Sequence, residues 1–341
     1  MKAWLLKDFG LSHLQPGEVD TPVPRPGELL VKVGAVSLNF RDKAIVDGIY
    51  EPQRVPKPLI PVSDAAGTVV AVGAGVTRFR VGERVNSTLY SRWIDGAPGP
   101  DEPDHCLGMP LPGGLAEYMI IHEESAVAAP ASMSDEEAAT LPIAALTAWY
   151  SLMDVGRLQP GQTVLVQGTG GVSIFAAQIA AAHGARVIVT SSRDENLARV
   201  KALAGGAAIE GVNYRTHPDW EREVLALTGG LGADVTIDVA GGDGINRSVA
   251  ATRVQGVIAQ VGFLTGQRSA LDLMPLIFRQ TTIRGIAVAP RSAFERMNAF
   301  LDAHRIRPVI DRVYRFDEAV QAFEHLARGP FGKVVIKVAD A

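Results

Sequence analysis

The stretch from Thr163 to Arg193 constrains the fold of this chain more than any other. It opens with Thr163-Val-Leu-Val-Gln167, a short apolar, β-branched run of the kind that forms a buried parallel strand. Gly168-Thr169-Gly170-Gly171-Val172-Ser173 follows, and its glycines supply a tight turn and let backbone approach a ligand closely. The small-residue run from Ile174 has high helix propensity and can pack tightly on a sheet. Gly184 stands where a helix C-terminus favours positive φ. Arg186-Val-Ile-Val-Thr190 is a second strand. Strand, glycine turn, helix and strand make a βαβ unit whose helix N-terminus is open to an anion such as a pyrophosphate. Ser173 occupies the third glycine position of the G-x-G-x-x-G pattern, so the match is incomplete. The motif nevertheless lies between a strand and a helix, as a dinucleotide turn must. The competing reading is a glycine-rich turn with no ligand.

At 341 residues the chain is too long for one ordinary core, so two domains are expected. A net charge of −4, with no basic run, argues against nucleic acid or an anionic membrane as partner. Cys106 is the only cysteine, which rules out an internal disulfide framework and fits a reducing compartment. Met1-Lys-Ala-Trp-Leu-Leu-Lys7-Asp8 has no signal-peptide core, and no apolar stretch is long enough to span a bilayer. The expectation is a soluble, cytoplasmic protein.

Residues 1–60 hold short β-like segments broken by proline, among them Glu28-Leu-Leu-Val-Lys-Val33. Ser37 is a candidate helix cap in Ser37-Leu-Asn-Phe-Arg-Asp42. Asp64 to Val72 and Val81 to Val85 continue the alternation of strands and glycine turns expected of a compact β domain. Ser91 to Gly114, rich in Pro, Gly and Asp, reads either as a solvated excursion or as a lid. Ser134-Asp-Glu-Glu137 and Ser192-Arg-Asp-Glu195 have capping-box spacing. Ala233 to Val239, Gly256 to Gly262 and Thr282 to Val288 read as further strands with helices between them. That alternation indicates an α/β doubly wound parallel sheet.

Taken together, Pro26-Gly-Glu-Leu-Leu-Val-Lys-Val33, Ser37-Leu-Asn-Phe-Arg-Asp42, Gly114-Leu-Ala-Glu-Tyr118, Ala138-Ala-Thr-Leu-Pro142, Leu146-Thr-Ala-Trp149, the glycine turn and Phe331-Gly-Lys-Val-Val-Ile336 resemble the medium-chain dehydrogenase/reductase superfamily over the whole chain. The likeness is greatest to its zinc-independent, quinone-oxidoreductase-like branch. The resemblance implies a split, GroES-like catalytic domain near 1–127 and 289–341, with a Rossmann domain near 128–288. Zinc-containing relatives carry a cysteine where this chain has Asn39 and a His-Glu pair where it has Ser63-Asp64. They also carry a four-cysteine lobe where Ser91–Gly114 lies. Zinc catalysis needs about three soft or imidazole ligands. No zinc is expected at either site.

Without a Lewis acid, a quinone or enone is a more suitable hydride acceptor than a plain alcohol, because conjugation spreads the developing charge onto an oxygen. Asn39, Tyr50 and Ser63 are the candidate donors to that oxygen. By resemblance, Thr147 lies near the nicotinamide ribose; Gly168, Gly170, Gly171 and Val172 hold the pyrophosphate; Tyr214 lies along the adenosine; Val239, Gly262 and Phe263 sit beside the nicotinamide; and Lys333 reaches the cofactor. Ser191-Ser192-Arg193 falls where an NAD site places a carboxylate, so NADP(H) is expected over NAD(H), with Asp194 as the competing acid. An unpaired edge strand at Thr282–Val288 leads to the expectation of a homodimer. Two other readings stand beside the quinone or enone reductase: a metal-free alcohol or aldehyde oxidoreductase, and a nucleotide-binding sensor without turnover.

Overall fold

The computed structural model describes residues 1–203 and 209–338. The chain divides into one unit of Met1–Leu146 with Val288–Ala341 and a second of Thr147–Ala287.

Among the described residues the second unit holds six strands, every adjacent pair parallel. Across the sheet they run Ile209–Asn213, Arg186–Ser191, Thr163–Gln167, Ala233–Asp238, Thr252–Gln260 and Thr282–Gly285. Counted from the unit's first strand, the order is 3-2-1-4-5-6, the doubly wound arrangement in which ligands sit beyond the strand C-termini where the order reverses. Here that point lies between Gln167 and Asp238. The central strands Thr163–Gln167 and Arg186–Ser191 are largely buried apolar runs, as expected where helices cover both faces of a parallel sheet. The helix Gly171–Ala182 buries Ile174, Phe175, Ala176, Ala177, Ile179 and Ala180 against it. Gly184 follows at φ +85°, where a side chain would be strained.

The first unit is β-rich. Glu28–Leu38 pairs antiparallel with Asp64–Val72, Tyr118–His122 and Lys333–Lys337. Arg84–Ser87, Ala126–Ala128 and Ile310–Arg315 complete its main sheet. Two register breaks against Asp64–Val72 let the long central strand curl over its core. Gly67 is required there, since a Cβ would stand 2.1 Å from the Lys32 carbonyl oxygen.

Residues 128–146, placed by resemblance with the Rossmann half, lie in the first unit. Polar ties explain this. Asp135 pairs with Arg84 at 2.6 Å, Asn86 Nδ2 donates to the Ala138 carbonyl at 2.8 Å, and the Ile143 N–H donates to Asp64 at 3.2 Å. The Ser134 capping box forms as its spacing predicts. The Ser37 cap does not. Ser37 is the penultimate residue of the Glu28–Leu38 strand, and Asn39 caps the helix Phe40–Val46 in a box with Asp42. The strand simply runs on beyond its expected end at Val33, because it is paired on both sides as far as Ser37 and on one side to Leu38.

Ser91–Gly114 is neither loose nor solvated throughout. Trp93, Cys106, Leu107 and Met109 are buried, and Arg41 donates to the Leu107 and Met109 carbonyls at 3.2 and 2.8 Å. Burial pushes the Cys106 thiol up to about 11, so it is no thiolate at neutral pH.

Candidate functional site

In the second unit the glycine turn caps the first strand. Gly168 has φ +74° and donates its N–H to the Thr190 carbonyl at 2.8 Å, which ties the turn to the neighbouring strand. Gly170 is exposed, has an ordinary φ of −80°, and a Cβ there would meet no atom within 4 Å. Neither backbone strain nor packing demands that glycine, and without a side chain there the helix N-terminus is open to an approaching ligand. The first helical N–H groups, from Gly171 and Val172 onward, have no intrahelical acceptor and attract an anion. Ser173 suits the third glycine position because it is buried and its hydroxyl donates to the Gln167 carbonyl at 2.7 Å, so the helix still seats close to the strand. The turn therefore fits a dinucleotide pyrophosphate.

At the end of the second strand, Ser191 is buried, Ser192 half-buried and Arg193 exposed. Asp194 begins the helix Asp194–Leu203, and its carboxylate accepts from Asn213 Nδ2 at 2.8 Å. That bond holds the competing acid against the neighbouring strand. The Tyr214 N–H donates to the Ser191 carbonyl at 3.0 Å, and the Tyr214 ring is exposed. Arg215 lies beside these residues, although nothing in the local sequence pattern points to it. Asn213 is the register partner of Ser191, so Arg193 and Arg215 each stand two residues past adjacent strand ends. Both are exposed, and neither guanidinium has a hydrogen bond or ion pair among the described residues. The place of Arg215 beside Arg193 follows from the register between the two strands and not from any local motif.

Val239, Gly262 and Phe263, all half-buried, come together on two interlocked turns beyond the fourth and fifth strands. Thr265 donates its N–H to the Ala240 carbonyl at 2.8 Å and its hydroxyl to the Gly241 carbonyl at 2.9 Å. A Cβ on Gly262 would stand 2.2 Å from the Val239 carbonyl oxygen, so only glycine permits the contact. Thr147 is buried in the short helix Leu146–Trp149.

In the first unit, Asn39, Ser63 and Lys333 meet, with Asp42 and Asp64 between them. Lys333 is buried, and its Nζ donates to the Leu38 carbonyl at 2.8 Å and to Asn39 Oδ1 at 2.6 Å. Asn39 Nδ2 donates to Asp64 Oδ2 at 2.9 Å, and Asp42 Oδ2 accepts the Asn39 backbone N–H at 2.7 Å. The Ser63 hydroxyl lies 3.3 Å from Asp64 Oδ1. Burial pushes the Asp64 carboxyl up to about 7 against the opposing charge of Lys333, and burial also raises Asp42 and lowers Lys333. Asp64 can thus hold or release a proton near neutrality.

These contacts change two expectations. The Asn39 amide is engaged on both sides, bridging an ammonium and a carboxylate. The Lys333 amine is turned into the unit's interior by the same bridge and by Leu38. Tyr50 is half-buried, with Arg41 over its ring at 5.4 Å. The donors at the expected metal position are an amide, a hydroxyl and a carboxylate already bonded to protein, a poor set for zinc. Among the described residues no three His, Cys, Asp or Glu side chains converge as a metal site requires.

The family model for the alcohol dehydrogenase GroES-like domain matches residues 25–131, and that for zinc-binding dehydrogenase matches 171–303. A zinc-type alcohol dehydrogenase-like protein of Schizosaccharomyces pombe is 38% identical, the match covering 96% of each chain. A quinone oxidoreductase of Sus scrofa is 28% identical over 94% of this chain and 92% of its own. Among solved structures, an NAD-dependent alcohol dehydrogenase superposes with TM-score 0.88 at 34% identity over 99% of this chain and all of its own. A mycobacterial protein solved with NADPH superposes with TM-score 0.82 at 27% identity, again over 99% of this chain and all of its own. With a doubly wound sheet bearing a dinucleotide turn, a GroES-like β unit, and relatives matched from end to end, the chain is an oxidoreductase of the medium-chain dehydrogenase/reductase superfamily.

Proposed function

We propose that this protein is an NADPH-dependent reductase of quinones or α,β-unsaturated carbonyls that works without a metal. The observation that carries the reading is the Asn39–Asp64–Lys333 bridge, which fills the expected metal position with groups bonded to one another. Gly168, Gly170, Gly171 and Val172 would hold the pyrophosphate, Arg193 and Arg215 the 2′-phosphate, and the Val239 and Gly262–Phe263 turns the nicotinamide. The bound cofactor supplies the hydride. The chain's own part is to place the acceptor and to meet the charge that develops on its oxygen. The Tyr50 and Ser63 hydroxyls are the donors for that oxygen. Asn39 holds Asp64 and Lys333 in place rather than touching the acceptor. A proton must also reach the reduced product, and Asp64, pushed up to about 7, is poised to exchange one through the adjoining Ser63 hydroxyl.

A panel of quinones, enones, saturated aldehydes and alcohols, followed by NADPH or NADH absorbance after exhaustive chelation, tests this. Turnover of quinones or enones should survive chelation, with well under one zinc per chain by elemental analysis. The names of the Schizosaccharomyces pombe relative and of the NAD-dependent structure favour a second reading, a metal-free alcohol or aldehyde oxidoreductase. Turnover confined to saturated aldehydes or alcohols would establish that one instead. Stoichiometric zinc whose removal abolishes activity would end both.

We also infer a homodimer. Among the described residues Thr282–Gly285 is paired on one side only, by Thr252–Gln260. The adjacent helix Leu273–Arg279 exposes Leu273, Met274, Ile277 and Phe278, the last 73% exposed. An open strand edge beside an apolar helix face is a template for a second copy. Solution scattering at micromolar concentration should give twice the chain mass, and Phe278→Asp should reduce it to one. A monomer mass for the unsubstituted protein would refute the dimer. No described helix is long and apolar enough to cross a membrane.

A further inference from the structure

Asp238 ends the fourth strand of the second unit and is completely buried. Its Oδ1 accepts the N–H groups of Ala240 and Gly241, each at 3.0 Å. Its Oδ2 accepts from the Ser248 hydroxyl at 2.6 Å and from Gln167 Nε2 at 3.3 Å. Gln167 Nε2 also donates to Ser248 Oγ at 2.7 Å, so the Ser248 proton points to Asp238. The Asp238 main-chain carbonyl accepts from Val261 and Gly262 at 2.8 and 3.2 Å. No cation pairs with this carboxylate among the described residues. A buried carboxylate held only by neutral donors is costly to keep, and its position accounts for it. Gln167 and Asp238 are the last residues of the two strands between which the sheet order reverses. Gln167 directly precedes the glycine turn, and its carbonyl receives Ser173. Asp238 directly precedes the Val239–Gly242 turn.

We propose that Asp238 is a positioning residue, which with Gln167 and Ser248 fixes the nicotinamide-side turns relative to the pyrophosphate turn. The inference rests on the dinucleotide reading given above. One carboxylate sets both turns beyond it, through its side chain toward Ala240 and Gly241 and through its carbonyl toward Val261 and Gly262. Gly241, at φ +67°, has a Cβ position 2.8 Å from the Gly262 carbonyl oxygen, so a small rotation of either turn moves the other. A neutral amide at residue 238 keeps one oxygen for the turn and opposes the hydroxyl that now donates to it.

The test is direct binding of NADPH and NADH by titration calorimetry, with melting temperature and steady-state constants measured alongside. Asp238→Asn should weaken nucleotide binding about tenfold, and Ser248→Ala about threefold, since charge-assisted bonds are lost or misdirected. KM for the nucleotide should rise and kcat fall while KM for the acceptor stays unchanged. Val249→Ala, a buried truncation on the same helix, Ile245–Ala251, should lower the melting temperature and leave nucleotide affinity alone. If the unsubstituted protein binds neither nucleotide, the dinucleotide reading fails. If it binds and Asp238→Asn binds equally well, or loses affinity only as Val249→Ala does, the positioning role fails. Should Asp238→Asn not fold, Ser248→Ala decides by the same criterion.

Discussion

Lys333→Met should lose about 3–5 kcal/mol of folding stability at pH 8, the cost of leaving a buried opposite charge without its partner. Methionine fills nearly the same volume, so little of the loss comes from packing. The loss comes mainly from Asp64, which is buried and has Lys333 as its opposing charge, whereas Asp42 keeps the stronger opposing charge of Arg41. Asn39 also loses the donor to its Oδ1. The effect carries a pH signature whose sign follows from linkage. The folded Asp64 carboxyl sits at about 7, above its unfolded value of 3.8. Between those values the folded state binds more protons, so this group's stabilising contribution is present at low pH and is lost as pH rises toward 7. Lys333 is lowered from 10.5, so the folded state binds fewer protons below that value, and stability from this group rises with pH there. Methionine removes the lysine's contribution and leaves the carboxylates' contribution enlarged. The deficit of Lys333→Met should therefore shrink from pH 8 to pH 5, where Asp64 is protonated. Thermal or urea midpoints at the two pH values measure it. A deficit under about 1 kcal/mol at pH 8, within the range of an ordinary surface change, would mean that the cluster is not an ion-paired one.

Arg193→Ala with Arg215→Ala should raise the NADPH dissociation constant about a hundredfold while changing that of NADH less than about threefold, taking about tenfold for each exposed charge-assisted phosphate contact. Each guanidinium stands past a strand end with no protein partner among the described residues, so neither substitution removes a structural bond. The acid that could have repelled the phosphate, Asp194, is bonded to Asn213. The NADPH preference should weaken with added salt, because both groups are exposed. An unchanged NADPH/NADH ratio in the double variant would show that the 2′-phosphate lies elsewhere or is not bound at all.

Local order decided how much could be read in advance. Thr163–Gln167, the alanine-rich helix and Arg186–Ser191 follow one another with periods and turn residues that permit little else, and the structure has them within a few residues of their expected ends. The Ser134 capping box is equally local. Where an outcome depended on a partner far along the chain, the reading was incomplete. Asn39, rather than Ser37, caps its helix because Lys333–Lys337 pairs with Glu28–Leu38 and holds Ser37 in the strand. Residues 128–146 join the first unit through Arg84, Asn86 and Asp64.

The sequence alone therefore determined the doubly wound sheet, its glycine turn and the lack of soft ligands at the expected metal position, because residue type and short spacing carry that information. Tertiary structure alone decided what occupies that position. Asn39 and Lys333 are 294 residues apart in the chain, yet they form a 2.6 Å bond. It likewise brought Arg215 level with Arg193 and Asp238 against Gln167 and Ser248. In each case the deciding quantity is a strand register or a buried hydrogen bond between distant segments. Such pairings are set by which apolar faces can be covered at once, a property of the whole core that no local window contains.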